Sequence, residues 1–181
     1  MNEIRNHTWT FVSILALLFG AAWTWFSAVD STRAEQLAVP RQGFVAPDFS
    51  LQTLEGETIR LSELRGRPLI INIWASWCLP CEAEMPALQN VYDEYRDEGF
   101  TVLAVNATSQ DSRADAEAFV REYGLTFPIL LDTEGRVVRL YQVSAFPSSY
   151  FVGPDGKIRE VIVGGPMSEA LLDIRAQELF E

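Results

Sequence analysis

"INIWASWCLPCEAEMP", residues 71–86, holds both cysteines of the chain, Cys78 and Cys81. The stretch changes character at its centre. Before the pair, "RPLIINIWA" is a near-continuous apolar run, the pattern of a strand buried on both faces. After it, Met85, Leu88, Val91, Tyr92 and Tyr95 recur at helical spacing. The pair therefore stands where a buried strand hands over to a helix. A lone pair in that position can be a structural staple, part of a metal clamp or a thiol–disulfide switch.

The rest of the composition narrows the choice. Structural zinc takes four Cys or His ligands and catalytic zinc at least three protein ligands. The chain has two cysteines and one histidine, His7, which lies far from the pair. Iron–sulfur clusters need more thiolates than are present. No metal and no bound cofactor is expected. The formal net charge is −11. Glu3 and Asp30 cancel Arg5 and Arg33, so all of it falls after Ala34. A nucleic-acid partner needs a basic stripe to neutralise phosphates, and none is present.

Residues 8–29, "TWTFVSILALLFGAAWTWFSAV", carry no charge. As a helix the run would be about 33 Å long at ~1.5 Å per residue, enough to cross a hydrocarbon core of ~30 Å. Trp9, Trp23 and Trp25 lie near its ends, where amphipathic rings favour the interface. The expectation is a transmembrane anchor over 8–29 behind a short segment, 1–7. A cleavable signal peptide is the alternative, against a thin positive n-region and no good small-residue cleavage site. Residues 30–45 read as a linker, with Pro40 and Gly43. The domain beyond is expected outside the cytoplasm, held on the cytoplasmic membrane by this single span.

From Ala46 to Glu181 the pattern predicts one α/β domain. "DFSLQTL" and "IRLSEL" read as a β-hairpin around "EGET". "FTVLAVNA" is a second buried strand, "DSRADAEAFVREYG" a capped helix and "FPILLD" a short strand. "TEGRVVRLYQV" holds a turn and a short helix. Two strands surround Gly153-Pro154-Asp155-Gly156, and Ser168 caps a last helix running to about Phe180. Alternation in the middle and a hairpin at the end predict a mixed sheet with helices on both faces.

The placement of Cys78 favours chemistry. Unsatisfied amides at a helix N-terminus, with the helix dipole, stabilise an anion there. A thiolate is the attacking species in thiol–disulfide exchange, and a lowered pKa favours it. Cys81 lies one turn further along the same face, within reach of a mixed disulfide on Cys78. Pro80 falls in the first turn, where a missing N–H costs nothing. A bridge between residues three apart closes too small a loop to restrict the unfolded chain much, so it would be a poor staple.

"NIWASWCLPCEAEMP" resembles the thioredoxin superfamily, and most closely its membrane-anchored TlpA/ResA-type thiol–disulfide oxidoreductases. Trp77 precedes the first cysteine as in that family. Pro86 matches the proline of the active-site helix, and Glu84 the active-site glutamate of ResA-type members. "VSAFPSSYFVGPDGKI" resembles the family's stretch that carries a cis-proline facing the disulfide, which makes Pro147 that residue. The helix and strand between Asp111 and Leu131 look like the insertion that separates this group from plain thioredoxin. The resemblance implies a thioredoxin-like fold and a redox-active Cys78–Cys81 disulfide. It implies Cys78 as nucleophile, Cys81 as resolver and Glu84 handling protons, with Trp77, Phe146 and Pro147 meeting the substrate. It also implies reduction of extracytoplasmic protein disulfides, such as those of apocytochrome c, with electrons from a membrane thiol carrier. Two positions depart from common patterns. Asn72 stands where plain thioredoxin has a buried aspartate, and Phe146 stands before Pro147 where smaller residues are commoner. The competing readings are a disulfide oxidant or antioxidant thiol protein of the same fold, and a copper-binding chaperone module. A peroxiredoxin fits less well, because the second cysteine is too close and Trp77 does not match.

Overall fold

The computed structural model describes residues 40–181. Among them no helix is long and apolar enough to cross a membrane. The span expected over 8–29 lies outside the described residues. Seven strands form one mixed sheet: β1 (Ser50–Thr53), β2 (Thr58–Arg60), β3 (Leu69–Trp74), β4 (Thr101–Asn106), β5 (Ile129–Leu131), β6 (Ser148–Val152) and β7 (Ile158–Val163). Their order across the sheet is β2-β1-β5-β4-β3-β6-β7. β3, β4 and β5 run parallel, while the hairpin β1–β2 and the pair β6–β7 flank them in antiparallel pairing. The helices are α1 (Leu79–Tyr95), α2 (Arg113–Tyr123), α3 (Arg136–Leu140) and α4 (Glu169–Glu178). This is the thioredoxin-like α/β fold with helices flanking a mixed sheet.

The run around β3 is apolar on both sides because both sheet faces are covered. Ile70 and Trp74 point into a core built with α1, α2 and α4 through Met85, Leu88, Phe119 and Leu172. Leu69, Ile71 and Ile73 point into a second core with Phe49, Val137 and Tyr141. The strand parity of two puts Asn72 on the α1 side, the one polar residue among six buried ones. Ser149 of β6 pairs with it in register and faces the same way. The apolar stripe of α1 packs as its spacing predicts, with Met85, Leu88, Val91 and Tyr95 buried and Tyr92 half-buried at its margin.

The hairpin differs in its second arm. β2 ends at Arg60, and Leu61–Leu64 forms a single 3-10 turn in place of a continued strand. Asp48 explains it: its carboxylate accepts from the Ser62 amide at 2.9 Å and the Ser62 hydroxyl at 3.0 Å, while Leu61 N donates to Phe49 O. These bonds offer the backbone a local alternative to the sheet ladder. Within the segment expected as linker, Val45 bridges Lys157. Gly43 N donates to Ile158 O, and Ile158 N to Phe44 O. After α1, a 3-10 turn ends at Gly99, whose φ of 96° is a conformation glycine adopts without the Cβ penalty.

Candidate active site

The N-terminus of α1 presents the cysteine pair. Cys78 is the N-cap residue, with extended backbone, and its Sγ accepts from the Cys81 amide at 3.2 Å. The two form a disulfide with their Cα atoms 5.2 Å apart. The pair is asymmetric: Cys78 keeps 5% of its surface exposed and Cys81 none. An attacking group can approach Cys78 and is excluded from Cys81. Pro80 lies in the first helical turn and Pro86 in the interior of α1, where its missing N–H leaves the Glu82 carbonyl without the helical donor.

A groove of about 510 Å³ opens beside Cys78. Trp77, Leu79 and Phe146 line one part of it, and Val138, Val143 and Gln110 another. Trp77 and Phe146 meet edge to face with ring centroids 5.7 Å apart. The Phe146–Pro147 bond is cis, as the resemblance implies for Pro147. Phe146 and Trp77 are thus brought together beside Cys78, and Pro147 follows Phe146 directly in the chain. Val138 and Val143, which sequence reasoning missed, come from α3 and the loop after it. Nothing in a short helix separated from the pair by about sixty residues signals that it forms a wall of the groove.

Glu84 lies on the sheet side of α1, 1% exposed. Its Oε1 accepts from Asn72 Nδ2 at 2.8 Å, and its Oε2 from the Met167 amide at 2.9 Å. The same Asn72 amide donates to Ser149 Oγ at 2.9 Å. Burial disfavours the ionised form and outweighs the two donors, so the Glu84 carboxyl titrates above the usual range. The loop Gly164–Met167 closes over this carboxyl. Gly164 N donates to Pro147 O at 2.8 Å. A Cβ on Gly165 would sit 2.9 Å from Pro147 Cγ and 3.0 Å from Glu84 Oε2. One loop therefore touches both the cis-proline and the buried acid.

A second carboxylate stands on the other side of the cysteine turn. Asp111 accepts from Ser76 N and Ser76 Oγ, each at 2.7 Å, from Asn106 Nδ2 at 2.7 Å and from Ser112 N at 2.8 Å. Burial opposes its charge, but the donors prevail and hold its carboxyl below the ordinary aspartate range. Sequence reading placed Asp111 only at the start of the insertion. The helix cap there is Ser112, which leaves Asp111 free to face Ser76.

The arrangement supports attack by a polarised thiolate at a groove rim, resolution from a shielded second thiol and a buried acid nearby. The chain as a whole resembles known proteins. A model of the AhpC/TSA family matches residues 43–161. The chain is similar to the thiol-disulfide oxidoreductase ResA of Oceanobacillus iheyensis, 36% identical over 88% of this chain and 83% of that one. ResA of Bacillus subtilis is 33% identical over 88% and 85%. Among solved structures, StoA from Bacillus subtilis superposes with a TM-score of 0.64 at 31% identity, over 77% of this chain and 98% of that one. A secreted Mycobacterium tuberculosis disulfide oxidoreductase gives 0.65 at 28% identity, over 72% and 96%. With the Cys78–Cys81 pair in place at the head of α1, the chain belongs to the AhpC/TSA family and, within it, to the ResA-type thiol–disulfide oxidoreductases.

Proposed function

We propose that this oxidoreductase works as a reductant of extracytoplasmic protein disulfides, apocytochrome c among them, while tethered to the cytoplasmic membrane by residues 8–29. The observation that carries the chemistry is the asymmetry of the pair: Cys78 at the rim of an apolar groove, Cys81 sealed behind it. In the reduced protein the Cys78 thiolate attacks one sulfur of the substrate disulfide. A Cys78–substrate disulfide forms, and the first substrate thiolate leaves and takes up a proton. Cys81 loses its proton and attacks Cys78 Sγ. The second substrate thiolate leaves, the Cys78–Cys81 disulfide closes, and two electrons have passed to the substrate. Glu84 is the proton acceptor for Cys81, three residues before it in α1. A membrane thiol carrier then returns two electrons. The reducing direction and the apocytochrome substrate rest on the likeness to ResA-type proteins, and the tether on the uncharged run.

The test is a redox titration against glutathione and dithiothreitol, followed by mixing the reduced protein with a peptide carrying an oxidised Cys-x-x-Cys-His pair. A potential near thioredoxin's, roughly −270 mV, with rapid reduction of the peptide supports the reading. A potential near that of a strong oxidant, roughly −120 mV, overturns it.

A further inference from the structure

The loop before α2 holds the active-site turn by two consecutive residues. Asp111 takes Ser76 through its amide and its hydroxyl. The Gln110 carbonyl accepts from Trp77 Nε1 at 2.9 Å. Residues 110 and 111 thus grip residues 76 and 77, immediately before Cys78, and Gln110 is also part of the groove wall. Trp77 needs such a grip. With 57% of its surface exposed, its ring has little packing to fix it beyond the edge of Phe146.

The carboxylate is built for this place. Asp111 Oδ2 takes Ser76 N and Asn106 Nδ2, and Oδ1 takes Ser76 Oγ and Ser112 N. Each oxygen meets two donors, so all four acceptor directions are used. Asn106 is itself fixed, its Oδ1 accepting from Thr108 Oγ1 at 2.8 Å. An asparagine at 111 has one acceptor oxygen. Whichever way its amide turned, its NH₂ would face a backbone N–H, of Ser76 or of Ser112, and a part-buried donor would lose its partner.

We infer that Asp111 is a positioning residue of the exchange reaction: through Ser76 and the adjoining Gln110–Trp77 bond it fixes Trp77 against the groove, and so sets how well a protein disulfide, rather than a small one, is received at Cys78. The inference rests on exchange at Cys78 and not on the direction of electron flow.

Single-turnover reactions of the pre-reduced full-length protein test it, with insulin and with 5,5′-dithiobis(2-nitrobenzoate) as disulfides. Asp111→Asn should raise the half-saturating insulin concentration roughly tenfold, the scale of a small misplacement of a binding group. The small disulfide should lose less than about twofold, having no need of the indole. A merely structural Asp111 would lower both reactions together, and that result, or an unchanged insulin reaction, overturns the inference. If circular dichroism shows Asp111→Asn unfolded, Ser76→Ala replaces it, removing one of the four donors. It should show the same insulin-selective loss at roughly threefold, and a loss equal on both disulfides refutes the idea. Trp77→Phe keeps a ring and removes the bond to Gln110. Combined with Asp111→Asn it should add little beyond either change alone, whereas full additivity would show that the two residues act independently.

Discussion

Gly165→Ala tests whether the loop Gly164–Met167 locks Pro147 and Glu84 together. The new methyl would lie 2.9 Å from Pro147 Cγ and 3.0 Å from Glu84 Oε2, where ordinary contacts are 3.4–4 Å. The backbone at 165 has no positive φ, so the cost is contact and not conformation. Neither neighbour is a free side-chain end. Pro147 is a ring whose carbonyl is bonded to Gly164 N, and Glu84 is held on both oxygens. Roughly half an ångström must come from moving the loop, which carries the Met167 amide away from Glu84. Overpacking of this kind costs about 1–3 kcal/mol. A weakened hydrogen bond to a charged group adds up to about 1.5–3 kcal/mol. A total near 3 kcal/mol would lower Tm by roughly 10 °C for a domain of this size. Thermal and urea unfolding followed by circular dichroism measure it, with thiol–disulfide exchange rates alongside, since the shift also displaces the cis-proline. A variant within about 0.5 kcal/mol of the parent and equally active would refute the coupling of Pro147 and Glu84 through this loop.

Other changes follow from the same geometry. Cys78→Ser should slow disulfide exchange by more than about a thousandfold, whereas Cys81→Ser should leave attack intact and accumulate the mixed disulfide, visible by mass spectrometry of the trapped species. The Glu84 carboxyl titrates above its unfolded value of 4.5, so between the two the native state binds more protons. Stability should therefore fall as pH rises from about 4.5 through the native pKa, then level off. Glu84→Gln should abolish that fall in urea unfolding series across pH, and an unchanged slope would assign it to another group. Asn72→Ala removes one of the two donors that favour ionised Glu84 and leaves Ser149 Oγ without its bond. It should cost about 1–3 kcal/mol and raise the Glu84 pKa further, read as a shift in the pH dependence of exchange.

The fold was readable where one signal dominates. β3 is a solid apolar run because α1, α2 and α4 cover one face and α3 the other. The stripe on α1 has helical spacing because a single face is buried. The second arm of the hairpin was not readable, since the Asp48–Ser62 bonds that turn it compete locally with strand pairing. The cysteines could be placed from sequence, their position at a strand–helix junction being a local property. The partners of Glu84 could not. Ser149 is 77 residues from Asn72, and Met167 is 83 residues from Glu84. Only the sheet register and the return of the chain into α4 bring them together. Asp111 was hidden for a different reason. Next to a serine before a helix it reads as capping chemistry, and which of two adjacent polar residues caps the helix depends on backbone geometry.

The two carboxylates flanking the cysteine turn show how environment divides their tasks. Glu84 is almost wholly buried and has two donors, one on each oxygen; desolvation wins and its proton is held above the usual range. Asp111 is half-buried and has two donors on each oxygen; hydrogen bonding wins and its charge is kept. A group that exchanges protons with a thiol needs both states within reach, which suits Glu84. A group that holds a backbone turn needs its acceptors fixed, which suits Asp111. Reversing the roles would fail on both sides. A four-donor carboxylate gives up its charge too reluctantly to relay a proton. A protonated acid at 111 would turn one acceptor into a donor against Ser76 or Ser112. It follows that the pH dependence of exchange should answer to Glu84 and the thiols, and that Asp111→Asn should change the affinity for protein disulfides without moving that profile.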